Sequence, residues 1–224
     1  MFAPAPVVSR RRAYLFLSEE PEDAMDEKLK TAPHRQPGHP VDPLFPGRWS
    51  PRAMSGAHLP KETLMTLFEA AHWAPSSGNG QPWRFIYALR GSEAWPRFFG
   101  LLAPGNKAWC ANAGALIVMA SKTISDRTGK PSKTHSFDTG AAWMSLALQG
   151  SMLGLVVHGM EGFDYGAALD ATGLPDGYAV EAMCAVGYPA PAESLPENLR
   201  AREIPSARKP VAEIAFEGRF TTPA

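Results

Sequence analysis

Apolar positions between Leu59 and Ala74 recur at helical spacing: Leu64, Leu67, Phe68 and Ala71 share one face, Pro60 stands in the first turn, and Glu62 complements the helix dipole. The pattern predicts an amphipathic helix that ends before Pro75. Arg84 to Leu89 (RFIYAL) and Ala115 to Ala120 (ALIVMA) are short, bounded, β-rich runs and read as strands. Ser136 to Gly154 is apolar nearly all round, which predicts a central buried helix. Leu155 to His158 reads as a strand, Tyr165 to Thr172 as a short helix, and Val180 to Gly187 as another strand. Val211 to Phe216 reads as a last strand after a Pro- and charge-rich stretch. Helices and strands mix without strict alternation, so the expected class is a layered α+β fold rather than a doubly wound one.

The ends differ in character. Pro33, Pro37, Pro40, Pro43 and Pro46 forbid a regular helix, so residues 1–46 are expected to form an extended arm, partly disordered. Residues 47–217 would form the folded domain and 218–224 a tail. Ser9-Arg10-Arg11-Arg12 followed by Ala13 to Leu17 looks faintly like a twin-arginine export signal, but this short apolar run stops at Ser18-Glu19-Glu20 and no small-residue cleavage site follows. Nowhere does an apolar run approach the roughly 18 residues a membrane span requires. A soluble, cytoplasmic protein is expected.

Composition narrows the partners. With 224 residues and 45% apolar content, one compact domain can bury a full core. The 22 basic residues are matched by 22 acidic ones, so neither nucleic acid nor an anionic membrane is indicated, and the partner is expected to be small. Cys110 and Cys184 each stand alone in apolar surroundings, which suits a reducing compartment.

Several familiar signatures fail. Gly129-Lys130 is followed by Pro131, and the first glycine of a phosphate-binding P-loop is missing. Gly78-Asn79-Gly80 follows a helix instead of a strand and lacks the third glycine of a dinucleotide fingerprint. Asp138-Thr139-Gly140 opens a helix, unlike an aspartic-protease loop. The histidines (34, 39, 58, 72, 135, 158) have no metal-ligand spacing, so no metal is expected.

Two segments carry chemistry. Arg48-Trp49-Ser50-Pro51-Arg52 places two guanidiniums and a hydroxyl within a few residues, suited to a phosphate and a second electron-rich group, and equally to a solvated basic turn. Ala74 to Trp83 (APSSGNGQPW) is a turn dense in small hydrogen-bonding groups, either structural or able to hold a heterocycle.

In this order the two segments resemble the nitroreductase family of flavin enzymes, which opens with Arg-x-Ser-x-Arg/Lys and then a helix ending in Pro-Ser-Ser-x-Asn-x-Gln-Pro-Trp. Asn106-Lys107-Ala108-Trp109 ahead of a strand, Asp138-x-Gly140 opening the long helix, Glu161-Gly162-Phe163-Asp164, Ala185-Val186-Gly187-Tyr188-Pro189 and Arg208-Lys209-Pro210 continue the likeness. It runs from about Pro40 to Phe216. Each motif alone is weak, but the register of all of them is specific.

The resemblance implies a mixed central sheet flanked by helices, in an intertwined homodimer whose terminal arms wrap the partner. It implies FMN as cofactor, with NADH or NADPH as electron donor and a small acceptor such as a nitroaromatic or quinone. Arg48, Ser50 and Arg208 would meet the phosphate and ribityl chain, with Lys209 assisting. Arg52 and Asn106 would face the pyrimidine edge, and backbone N–H groups near Glu161 and Gly162 would point at flavin N5. Pro75, Ser76, Ser77 and Asn79 would come from the other subunit. Trp49 is counted with the cofactor contacts, and both it and Trp109 suit either a channel wall or the core. No side chain is assigned as a catalytic acid or base, because the cofactor carries the chemistry. The same scaffold also hosts dehalogenases and dehydrogenases, and a flavin-binding protein without turnover would share the cofactor residues. The arm before Arg48 is longer than the family minimum. Lys122 to Phe137 is short where relatives carry channel-roofing helices, so the acceptor is the least legible feature.

Overall fold

The computed structural model describes residues 32–221. The export-like segment and most of the N-terminal arm therefore lie outside the described residues.

After a one-turn helix α1 (Leu44–Gly47) comes α2 (Lys61–His72), whose buried Leu64, Leu67 and Ala71 form the predicted face. Pro60 is its N-cap in extended conformation instead of a first-turn residue (ψ 142°), since a proline needs no N–H partner at a helix start. Strand β1 (Trp83–Leu89) follows the 3₁₀ turn Ser77–Asn79. Two short helices, α3 (Trp95–Gly100) and α4 (Pro104–Cys110), each carry a proline in the first turn. Then come β2 (Ala115–Lys122), the long α5 (His135–Met152), β3 (Val156–Met160), α6 (Tyr165–Thr172), β4 (Tyr178–Gly187) and a single turn α7 (Glu197–Arg200). Asp164 caps α6 by accepting from the Ala167 N–H, and Gly173 closes it in the left-handed region, φ 66°.

The sheet order is β1-β2-β4-β3. All its pairings are antiparallel, so the α+β class holds while no parallel pair appears among the described residues. The expected last strand is absent there as well. Val211–Glu213 forms a 3₁₀ turn, and Val211 and Ile214 stay exposed, because β-rich composition makes no strand without a ladder to join.

Helices cover both faces of the sheet, which is why β2 is buried along almost its whole length. Leu116 and Val118 pack with Phe98, Leu102, Trp109 and Ala168 on one face. Ala115, Ile117 and Met119 pack with Leu64, Leu67, Leu146 and Ala147 of α2 and α5 on the other. Helix α5 is less enclosed than its composition suggests. Phe137 and Met144 remain exposed, leaving one apolar flank uncovered in the single chain.

Candidate active site

Strand β3 is an edge strand, so its side away from β4 has no partner within the sheet. Here the Arg48–Arg52 segment is docked by two contacts. His158 Nδ1 bonds the Pro51 carbonyl at 2.8 Å, and because a carbonyl only accepts, that nitrogen carries the proton. Burial holds His158 below the ordinary imidazole range against the pull of this bond, the nearby Arg52 charge also lowering it. The second contact is Glu203, whose Oε1 accepts from the successive N–H groups of Arg52 (2.6 Å) and Ala53 (2.8 Å).

This clamp brings the two ends of the described chain together. Arg35 is buried and donates to the Arg48 carbonyl at 3.1 Å, while Arg48 donates to Ser50 Oγ at 3.3 Å. Burial, then the charges of Arg208 and Arg35, hold the Arg48 guanidinium below its ordinary affinity for a proton. Arg35 is lowered in the same way by burial and then Arg208. Three guanidiniums from three chain segments thus converge on one place and repel one another. Such a cluster fits a bound dianion, which would reverse the sign of the interaction.

Ser50 also lines a cleft of about 460 Å³. Its apolar walls are Met119, Gly140, Trp143, Gly159 and Met160. A Cβ on Gly140 would meet nothing within 4 Å, and one on Gly159 would come within 3.0 Å of the Trp143 ring. The bare helix position leaves room for a planar ring, while the one on β3 lets Trp143 close the wall. At the end of β3, the N–H groups of Glu161 and Gly162 donate to no acceptor among the described residues. The Gly162 carbonyl accepts from Ala103 N (3.0 Å) and Asn106 Nδ2 (2.9 Å), which fixes the loop that presents them. A cation behind Ser50, an apolar wall, and free donors at Glu161 and Gly162 together fit a phosphorylated planar heterocycle.

Of the expected contacts, Ser50 and Glu161 line the cleft, and Arg48 stands behind Ser50. Arg208 is exposed and bonds its own loop at Ser206, and Lys209 beside it is exposed too. Trp49 is half-buried next to the cluster. Arg52 faces Glu203 Oε2 at 3.9 Å. Asn106 spends both ends of its amide within the fold, since its Oδ1 also accepts from Trp109 Nε1 at 3.2 Å. Trp109 belongs to the core and tilts over His158 with ring centres 4.5 Å apart.

Pro75, Ser76, Ser77 and Asn79 do not line this cleft. Their turn is fastened to the start of α5, where buried Asp138 accepts from Ser77 N and Thr134 Oγ1, both at 3.1 Å. Asn79 (φ 55°) and Gln81 (φ 44°) sit in the left-handed region, a conformation non-glycine residues rarely hold without surrounding support.

The model of the nitroreductase family matches residues 46–103 and 90–188. A Rhodopseudomonas palustris protein described as an NADH dehydrogenase/NAD(P)H nitroreductase is 28% identical over 179 residues, covering 71% of this chain and 90% of its own. The solved structure of an oxidoreductase containing FMN is 50% identical, with a TM-score of 0.82 over 87% of this chain and 100% of that one. A Desulfovibrio desulfuricans protein solved in complex with FMN shares the fold at 23% identity and a TM-score of 0.61, covering 80% of this chain and 96% of that one.

Proposed function

The chain belongs to the nitroreductase family, and we propose that it is an FMN-dependent oxidoreductase that draws on NADH or NADPH to reduce a small acceptor such as a nitroaromatic or quinone. The observation that carries this reading is the chain of contacts from Arg35 to Arg48 to Ser50, a residue of the cleft lining, with the Arg208 charge bearing on both guanidiniums. The 50%-identical FMN-containing oxidoreductase supports the choice of cofactor.

Bound FMN would supply the hydride-transfer chemistry. The chain's part is placement. Arg48, Arg208 and Ser50 hold the phosphate and ribityl chain, with Arg35 added to that set and Lys209 nearby. The free N–H groups of Glu161 and Gly162 would serve N5 of the ring, and Asn106 serves chiefly to fix their loop. Arg52, balanced by Glu203, lies toward the pyrimidine edge, where a cation favours the reduced ring over the oxidised one.

Purified protein is expected to be yellow and to release FMN on heating, identified by mass spectrometry. FAD extends past its phosphate into the arginine cluster and is expected not to load. Release of FAD, or no flavin after reconstitution, contradicts the reading.

The sites are shared between two copies, with the Pro75–Asn79 turn of one completing the cleft of the other. The exposed apolar flank of α5 and the exposed Trp73, at the end of α2, support such a pairing. Mixing Ser77→Trp with Arg48→Glu should restore flavin binding at one intact site per hybrid dimer, measured by flavin fluorescence quenching. Normal flavin binding by each variant alone, or a fully active monomer in sedimentation, refutes sharing.

A further inference from the structure

The cleft is electrically lopsided. At Ser50 it adjoins Arg48, on which the charges of Arg35 and Arg208 also bear, whereas the rest of its wall includes Glu161, Glu181 and Tyr165, and no lysine or arginine lines it. Glu181 reaches that wall through an irregularity in the sheet. Met119 pairs with Ala182 and Ala120 with Val180, so Glu181 is an extra residue in β4, a β-bulge. Val180 packs toward the first core cluster and Ala182 toward the second. In an unbroken register Glu181 would alternate with Ala182 and point into the first cluster. The bulge instead sets it beside Met119 and Ala182 on the cleft side.

There its Oε1 is held by Ser121 Oγ and by Ser136 Oγ (2.8 Å), with His135 Nδ1 at 3.2 Å. Glu181 Oε2 makes no hydrogen bond among the described residues and is not enclosed. Tyr165 Oη lies 3.5 Å from the Glu181 carbonyl oxygen, and the phenol is raised above its ordinary range by burial and then by the charges of Glu161 and Glu181. Trp143 supplies an aromatic face to the same space.

We propose that this wall selects an electron acceptor bearing a positive charge, such as an aromatic ring with a quaternary ammonium or pyridinium group, held by Glu181 and Glu161 against the rings of Trp143 and Tyr165. The proposal rests on the cleft being the flavin site, since the flavin phosphate then takes the cationic end and leaves the acidic wall to the second ligand. Carboxylates beside aromatic faces attract such a cation by both Coulombic and cation–π forces, and they repel an anionic ring. A carboxylate fixed by three neighbours does this without ordering cost at the moment of binding.

The test uses benzyl ligands of positive, zero and negative charge. Benzyltrimethylammonium, benzyl alcohol and phenylacetate are titrated calorimetrically into flavin-loaded protein at about pH 8, above the ordinary imidazole range. Their 4-nitro counterparts are then used to reoxidise the dithionite-reduced protein. The cation should bind and react at least about tenfold better than the anion, and the ratio should shrink with added salt. Glu181→Gln, which keeps the acceptor for Ser121 and Ser136, should cut the ratio about threefold or more while the flavin spectrum stays normal. A wild-type ratio near one, a reversed order, or a ratio unchanged in a normally folded Glu181→Gln overturns the proposal. If Glu181→Gln does not fold, the wild-type series and its salt dependence decide alone. Failure to load flavin counts against the cofactor reading instead, and the titration of flavin-free protein still decides the charge preference.

Discussion

Arg48→Ala is expected to lose FMN, with a Kd weaker by roughly 30- to 1,000-fold, about 2–4 kcal/mol, the usual cost of removing one partner from a desolvated charge pair. The guanidinium is half-buried, donates to Ser50, and is already lowered by burial and by its like-charged neighbours. Without an anion those neighbours make Arg48 a burden. The thermal midpoint of the flavin-free variant should therefore hold or rise, while the flavin-loaded midpoint falls. Arg48→Lys keeps the charge but not the planar fork, and should land between the two. Arg52→Ala should still load FMN, because its charge is matched by Glu203 and its contact is not to the phosphate. Equilibrium dialysis checks the series, and an Arg48→Ala that binds FMN within about threefold of wild type removes Arg48 from phosphate binding.

The second large effect lies away from the cluster, where α5 crosses β3. A Cβ on Gly150 would stand 2.3 Å from Val157 Cγ2, and Val157 is 3% exposed and β-branched, so it has no free rotamer to swing into. Helix propensity alone favours Gly150→Ala by about 1 kcal/mol. Overpacking at a rigid contact costs about 1–3 kcal/mol. Gly150→Ala should thus be destabilised by as much as about 2 kcal/mol, a drop of up to roughly 8 °C in Tm for a domain of this size. Because Val157 is two residues before Gly159, the displaced strand should also weaken flavin binding. Adding Val157→Ala removes the clashing methyl, so the pair should be less destabilised than the sum of the single changes. A Gly150→Ala protein more stable than wild type would mean that the α5–β3 contact yields easily.

Periodicity made the main elements legible. The face of α2, the β-rich runs of β1 and β2, and the unbroken apolar length of α5 are local properties, and each stands within a few residues of its expected place. Val211 to Phe216 failed because its strand reading depended on a pairing partner that composition does not reveal. The site divides in the same way. Arg48 and Ser50 were visible as a dense local motif, whereas Arg35 and Glu203 are single charged residues in Pro-rich stretches that become significant only when both arms fold against the Arg48–Arg52 segment. Glu181 was hidden for another reason. A bulge is a mismatch between two strands, and neither strand alone records it.

The central claim is that nicotinamide electrons enter through the bound flavin, and anaerobic stopped-flow mixing with NADH or NADPH tests it most directly. One of the two donors should bleach the oxidised flavin band at least about 100-fold faster than it bleaches free FMN, since the cleft holds donor and ring in contact. Bleaching by both donors no faster than that of free FMN would contradict the account and leave a flavin-binding protein without turnover.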